Sequence, residues 1–392
     1  MSDEILVINA GSSSLKFSIF IDADDTPEVS GHIDGIGQHQ PARIVLKDAT
    51  GARLPTHGKG EVADHGQALL VAIDAMAAHY PDHSVKAVGH RIVHGGADLA
   101  EPTVIDAPLL AVLDSLVPLV PLHQPHCLNG VRAAQAAFPD AMQVACFDTA
   151  FHRTMPEINQ LCPIPRRFFD EGVRRYGFHG LSYDYIASAL RRDHPALAAG
   201  RVVVAHLGNG ASLCGMRDGR SVATTMGFSA LDGLIMGTRS GHLDPGVLLH
   251  LLDRGMDAAE LSQMLYHRSG LLGISEISND MRVLLESDDS RAAQAVAVFT
   301  ASLTAHIAAM AARLGGIDAL IFTAGIGENA APIRARVCEG LAWLGLDLDA
   351  AANDSGQERI STADSRLAAL VTPTREDLPI LHAVRAQLAA RG

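Results

Sequence analysis

Positive charge is in deficit: in 392 residues, 31 Lys and Arg stand against 44 Asp and Glu, a net charge of −13. A surface of that sign offers no field for a nucleic acid or an anionic membrane, both of which require excess cation. Any phosphate site must then be local, built from backbone N–H groups and a few basic side chains. Aromatic residues are scarce as well, 4% against 48% hydrophobic, which leaves the Ala/Val/Leu composition typical of layered α/β proteins. No CxxC pair occurs among the five cysteines, Cys127, Cys146, Cys162, Cys214 and Cys338. An odd number at wide spacing predicts free thiols in a reducing compartment, hence a cytoplasmic protein. A Walker A sequence is missing, which excludes a P-loop NTPase. No run of about 18 apolar residues stands out, so no membrane span is expected. The acidic start Met1-Ser2-Asp3-Glu4 leads directly into a strand and does not read as a signal peptide. Pro-Gly linkers and low-complexity tails are absent too, so domain boundaries are soft.

What is present suggests two or three domains by length alone. Residues 4–8 form a strand-like apolar run, followed by the small residues Asn9 to Ser14 and a second strand from Leu15 to Ile21. Half a chain later the pattern returns: residues 201–205 run into His206-Leu207-Gly208-Asn209-Gly210-Ala211-Ser212 and another strand. One structural unit used twice is the economical reading. It predicts two similar α/β domains, residues 1–150 and 151–377, with a helix over 378–392 completing the first. Amphipathic helices are expected over 62–79, ended by Pro81, and over 182–193, with Ser182 as N-cap. An Ala-rich helix should fill 290–314 and close at Gly315-Gly316. Ala319 to Thr323 reads as a strand entering Ala324-Gly325-Ile326-Gly327-Glu328-Asn329.

Three glycine-rich turns thus follow strands, at Gly11, Gly208/Gly210 and Gly325/Gly327. Glycine permits close backbone approach, and successive N–H groups in such turns form anion-binding nests. One such turn is more often plain than functional; three, edged by Ser12, Ser14, Lys16, Asn209, Glu328 and Asn329, favour a nucleotide. Gly325-x-Gly327-x-x-Ala330 imitates a dinucleotide fingerprint, but too little chain follows it for a full βαβαβ unit. Ser13-x-x-Lys16 imitates an acyl-enzyme motif, but lies on a strand, which puts the two side chains on opposite faces. His90 and His94 are no metal pair, since four strand residues span roughly 13 Å. Arg91 between them suits an anion, or equally a structural ion pair. Asp148 ends a strand, where α/β proteins put chemistry, although a turn-capping Asp is a strong alternative. Arg239 lies between Gly237 and Gly241, a position costly to order unless it meets an anion.

In order and over many residues, these blocks resemble the acetate and propionate kinase family, within the superfamily of actin, heat-shock chaperones and sugar kinases. The blocks are Asn9 to Lys16, His90 to Gly96, Asp148 to His152, Tyr176 to Gly180, His206 to Ser212, Gly237 to Gly241 and Gly325 to Asn329. The resemblance implies an α/β, duplicated actin-like (ribonuclease H-like) two-domain fold with an interdomain cleft. It also implies reversible, direct in-line phosphoryl transfer between ATP and acetate, giving acetyl phosphate and ADP, by a homodimer using Mg²⁺, with Mn²⁺ as an alternative. Carried over by position, Asp148, His179 and Arg239 would be catalytic. Arg91, Val93, Leu122 and Phe178 would take the acid, and Asn9 and Glu376 would place the metal. ATP would meet Lys16, the loop His206, Leu207, Gly208, Asn209 and Gly210, then Asp280, Met281 and Arg282, and finally Gly325, Ile326, Gly327, Glu328 and Asn329.

The chemistry is consistent with those roles. Phosphoryl transfer asks a protein for alignment and charge neutralisation more than covalent work. A carboxylate acceptor, with a pKa of about 4, is already ionised and needs no base, so Asp148 is better read as positioning Mg²⁺ or an arginine. Three positions depart from the family pattern. Ala230 stands where proline is usual, which bears on acyl preference; His242 stands where an acid is common; Arg375 precedes Glu376 where Asn or Asp is usual. The competing readings are a propionate or butyrate kinase, and an ATPase of the same superfamily with no small acceptor.

Overall fold

The computed structural model describes residues 4–11, 14–21, 24–37, 41–56, 60–79, 84–121 and 123–391. The chain divides into two compact units, Met1–Ala150 with Arg375–Gly392, and Phe151–Thr374. The first holds strands β1 (Glu4–Ala10), β2 (Ser14–Ile21), β3 (Val29–Asp34), β4 (Arg43–Asp48), β5 (Arg53–Leu54), β6 (Val85–Ile92), β7 (Thr103–Val104) and β8 (Met142–Phe147). They form one sheet in the order β5-β4-β3-β2-β1-β6-β8-β7. The run Ile5 to Ile8 is buried throughout, with no alternation of exposed positions, as a central strand covered on both faces requires. On one face lies the helix His65–Ala77, capped by the Asp64 side chain accepting from Gln67 N. On β6, a Cβ at Gly89 would come within 2.4 Å of Ile380 Cγ2. Glycine there lets the C-terminal helix Asp377–Ala389 pack against the sheet.

The second unit holds β9 (Arg201–Leu207), β10 (Ala211–Arg217), β11 (Arg220–Thr224), β12 (Ala319–Thr323) and β13 (Ala368–Val371), ordered β11-β10-β9-β12-β13. The connectivity repeats that of the first unit. β1-β2 and β9-β10 are antiparallel hairpins, each with a third antiparallel strand outside it, β3 or β11. On the other side, β6 then β8, and β12 then β13, run parallel. The duplication inferred from the two hairpins is therefore a repeated five-strand core.

The long helix is Ser290–Leu314, started by Asp289 and closed by Gly315 at φ 71°. It is the one helix among the described residues long and apolar enough to cross a membrane. It holds no unbroken apolar run, because its alanines are interspersed with Ser, Thr and His. Its buried stripe, Val296, Phe299, Leu303, Ile307, Met310 and Leu314, follows helical spacing, and Met310 packs over Gly215 of β10. That is the position of a core helix.

Three local expectations change. The helix expected over 62–79 spans His65–Ala77, and Pro81 lies outside the described residues. Ser182 is not an N-cap: the helix spans Gly180–Asp193 with His179 at its cap, and Ser182 is fully buried inside it. Ala324–Asn329 is a short helix rather than an open turn. Its backbone is closed by its own side chains, with Glu328 Oε1 accepting from Ala324 N and Asn329 Nδ2 donating to Gly325 O. Ser12 and Ser13 of the first turn lie outside the described residues.

Three histidines are sealed inside this framework in neutral form. His90 bonds Gln143 Oε1, His94 Nδ1 accepts from Gly96 N, and His152 Nε2 donates to Phe178 O. Burial pushes each down to about 4. Their folded-state values lie below the unfolded one, so the stability they contribute is full above about pH 6.5 and is lost as pH falls toward 4. Lowering pH from 7 to 5 should cost about 2 kcal/mol per histidine. Urea midpoints measured across that range should fall steeply; midpoints flat from pH 7 to pH 5 would contradict the buried neutral assignment.

Candidate active site

In the first unit, polar side chains gather at the carboxyl ends of the central strands. Asn9 lies near the end of β1, Arg91 near the end of β6, and Asp148 directly after β8. The parallel register that pairs Arg91 with Cys146 brings Asp148 within reach. Arg91 Nε and Nη2 donate to Asp148 Oδ2 at 3.0 and 2.5 Å, and Nη1 donates to Asn9 Oδ1 at 3.3 Å. Asn9 Nδ2 in turn donates to Glu376 Oε2 at 2.8 Å. Asp148 is 1% exposed. Burial opposes the charge on Arg91, but the Asp148 and Glu376 carboxylates outweigh it and raise its pKa, so Arg91 is a permanent cation. Arg375, beside Glu376, donates to Asp377 and to Asp25 O. Val93 is buried just after β6. Lys16 lies on β2 with its side chain exposed, in register with Asn9. Leu122 lies outside the described residues.

In the second unit, His179 precedes the helix Gly180–Asp193 in the left-handed conformation, φ 60° and ψ 25°. A non-glycine residue held there is strained, and such strain concentrates at functional positions. Its Nδ1 lies 2.8 Å from Ser212 Oγ, and its ring stacks on His206 with centroids 4.2 Å apart. A Cβ on Gly210 would lie 3.5 Å from His179 Nε2 and 3.7 Å from both Arg239 Nη atoms. His179, Arg239 and the Gly210 backbone therefore converge. Arg239 Nη1 also donates to Ala230 O at 3.2 Å and meets Met236 Sδ. The loop carrying Arg239 fits against the turn after β9, because a Cβ on Gly237 would overlap Asn209 Oδ1 at 1.8 Å. His242 is exposed and lies 3.9 Å from Asp232.

Beside that turn opens a cavity of about 670 Å³ lined by Gly208, Asn209, Asp280, Met281, Arg282, Gly325, Ile326 and Asn329. Asn279, Leu285, Ala330 and Pro332 complete the wall. Asn279 Nδ2 donates to Asn209 Oδ1 at 3.1 Å, joining two segments far apart in sequence. Asp280 caps the helix Met281–Glu286 and pairs with Arg282, whose hydrogen bond holds the carboxyl below its usual range. Other expected nucleotide residues serve the frame. Leu207 is buried, His206 Nδ1 bonds Ser182 Oγ, and Glu328 Oε1 accepts from Ala324 N and Thr374 N. Gly327 is buried in its short helix, and Phe178 is buried with its carbonyl held by His152. The additional wall residues adjoin predicted segments and could have been found by extending them. Tyr183, whose hydroxyl reaches Ser212 Oγ, carries no local signal in the sequence.

Known proteins resemble this chain over nearly its whole length. A family model described as the acetokinase family matches residues 4–382. An acetate kinase of Rhizobium meliloti is 50% identical over 391 residues, covering 99% of each chain. A propionate kinase from Francisella tularensis superimposes with a TM-score of 0.91 at 35% identity, covering 98% of this chain and 99% of that one. The Porphyromonas gingivalis acetate kinase gives 0.86 at 32% identity, covering 98% and 100%.

The ion pair makes a direct prediction. Arg91→Ala leaves a buried carboxylate without its cation and should lower unfolding free energy by about 3 kcal/mol, much of it recovered by adding Asp148→Asn. Arg239→Ala should stay within about 1 kcal/mol of the parent. Equal losses in Arg91→Ala and Arg239→Ala by urea titration would refute this distinction.

Proposed function

The chain belongs to the acetokinase family, and from that premise we infer how its side chains divide the work of one reaction. The enzyme is an ATP:acetate phosphotransferase, running reversibly between ATP and acetate on one side and ADP and acetyl phosphate on the other. The observation that carries the mechanistic reading is the convergence of His179 Nε2, the Arg239 guanidinium and the Gly210 backbone on one point. Three such groups suit the equatorial oxygens of a phosphoryl group in transit. Nucleoside binding is assigned to the cavity bounded by Gly208, Asp280 and Ile326.

Arg91 is assigned the acetate carboxylate, because the charge on its planar fork is fixed. Asp148 holds that fork in place. It has no proton to remove, since acetate is ionised at neutral pH. Val93 and Phe178 are proposed to bound the acid's methyl end, and Lys16 to meet ATP phosphates. Among the described residues no group of three or more His, Cys, Asp or Glu could hold a metal. Glu376 and Asn9 nevertheless offer hard oxygen donors, which fits Mg²⁺, an ion that takes most of its ligands from water and phosphate. Bound there with ATP, the ion would neutralise charge on the phosphates. Transfer is then direct, with no phosphoenzyme: Asp148 is committed to Arg91, and Glu376 accepts from Asn9.

Two further expectations have support. The helix Pro245–Asp253 buries none of its residues and exposes Leu249 and Leu252 on one side, an apolar patch suited to a second copy in a homodimer. All five cysteines are free, in keeping with a cytoplasmic location.

Incubation with ATP, acetate and hydroxylamine should yield acetohydroxamate, with inversion at a chiral γ-phosphorus. ATP hydrolysis indifferent to acetate would sink the assignment, and retention would sink the direct route. Arg239→Ala should lower kcat about 100-fold or more.

Propionate is the second reading, favoured by the Francisella propionate kinase neighbour and by Ala230. That residue is buried and joined to Arg239 through its carbonyl. A methyl group where the family carries a proline ring leaves room and frees φ. Propionate should be used with kcat/KM within about tenfold of acetate, and Ala230→Pro should shift the ratio toward acetate. An unchanged ratio would move the search to Val93.

A further inference from the structure

We propose that Tyr183 and Ser212 are positioning residues that set the proton on His179, keeping its imidazole neutral with the hydrogen on Nε2. The proposal rests on the reading of His179 as a group that meets the phosphoryl. Tyr183 lies one helical turn beyond His179 on the helix Gly180–Asp193, and Ser212 lies on β10 opposite His206. Ser212 Oγ is 2.5 Å from Tyr183 Oη and 2.8 Å from His179 Nδ1. Tyr183 and Ser212 are both fully buried, and Tyr183 packs among Ile186, Ala187, Val204 and Leu370.

Counting protons leaves one satisfied arrangement. Burial keeps the Tyr183 hydroxyl protonated, raising its pKa well above the usual value. That proton is buried, and Ser212 Oγ is the acceptor within reach. Ser212 therefore accepts from Tyr183, and its own proton must also find an acceptor. His179 Nδ1 is in place for it, provided Nδ1 carries no hydrogen. If Nδ1 were protonated, the Ser212 hydroxyl would face two donors and its own proton would be stranded in the core, a costly state. Tyr183 thus donates to Ser212, Ser212 donates to His179 Nδ1, and the imidazole hydrogen sits on Nε2. Nε2 is the atom nearest the Gly210 and Arg239 convergence. The stack on His206, itself held at Nδ1 by Ser182, fixes the ring plane. The remaining freedom is where the proton sits, and the hydroxyl pair removes it. A neutral N–H is then presented to the phosphoryl oxygens in every enzyme molecule.

The test reads the tautomer directly. The full-length enzyme with ¹⁵N-labelled histidine is compared by NMR at pH 8 with Tyr183→Phe, Ser212→Ala and Ser212→Thr, and His179→Gln serves to assign the signal. The parent should show His179 as the Nε2–H tautomer. Tyr183→Phe and Ser212→Ala should move it toward a mixture and lower kcat about tenfold with little change in KM for ATP. Ser212→Thr, which keeps the hydroxyl, should retain both. A parent ring protonated at Nδ1, or Tyr183→Phe and Ser212→Ala proteins with unchanged tautomer and kcat, would overturn the proposal. The NMR result stands whether or not the parent makes acyl phosphate, so failure of the kinase reading shows separately in the hydroxamate assay. Should Ser212→Ala not fold, Tyr183→Phe, which removes only an oxygen, decides alone.

Discussion

A strand covered on both faces can carry chemistry only where it ends. That constraint organises this molecule. β1, β9 and β12 are apolar and buried nearly throughout, and β6 and β8 are buried through their central residues. Their polar groups appear in the last residue or two and in the turn beyond: Asn9, Arg91 and Asp148 in one unit, the His206–Gly210 turn and the helix Ala324–Asn329 in the other. Parallel register then fixes which of these groups meet, since a one-residue slip would move Arg91 to the opposite face of its strand.

The sequence made much of this legible, for a physical reason. Continuous apolar runs of five or so residues ending in small polar ones are what the constraint produces, so the strands, the glycine turns and the repeated hairpin could all be read from the chain. What could not be read depends on contacts between distant segments. Only the family resemblance paired Glu376 with Asn9; no local pattern does, because the two meet through the C-terminal helix packing over Gly89. Ser182 resembles a cap by residue type, yet it is inside the helix because His179 adopts a left-handed backbone one turn earlier. Glycines at 325 and 327 suggest an open loop, but Glu328 and Asn329 supply the hydrogen bonds that close a helix. Tyr183 reads as an ordinary core aromatic until Ser212 is placed next to it.

Net charge tells the same story at another level. A chain at −13 does not attract anions by its overall field, so the anion sites must be made locally and held against burial. Arg91 shows the cost: a cation buried in a strand end needs a carboxylate partner, and Asp148, almost wholly buried, needs Arg91 equally. The Arg91 guanidinium is held on three sides, by Asp148, by Asn9 and by the Ala10 carbonyl.

The two copies of the five-strand core have diverged along this line. A carboxylate acceptor carries constant charge until it is phosphorylated, and the Arg91–Asp148 pair presents a constant field. A phosphoryl group in transit is different, because charge redistributes over its oxygens during the reaction, and a counterion already paired to a protein carboxylate would be partly spent. The second unit supplies another kind of donor. Arg239 donates to the Ala230 carbonyl and meets the Met236 thioether. His179, with its proton on Nε2, adds a hydrogen bond with no charge of its own, beside the Gly210 turn. The same topology therefore carries a buried ion pair at the strand ends of one unit and a histidine, an arginine and a glycine turn brought together in the other. On the proposed reading, the first set meets the static anion and the second the one whose charge changes.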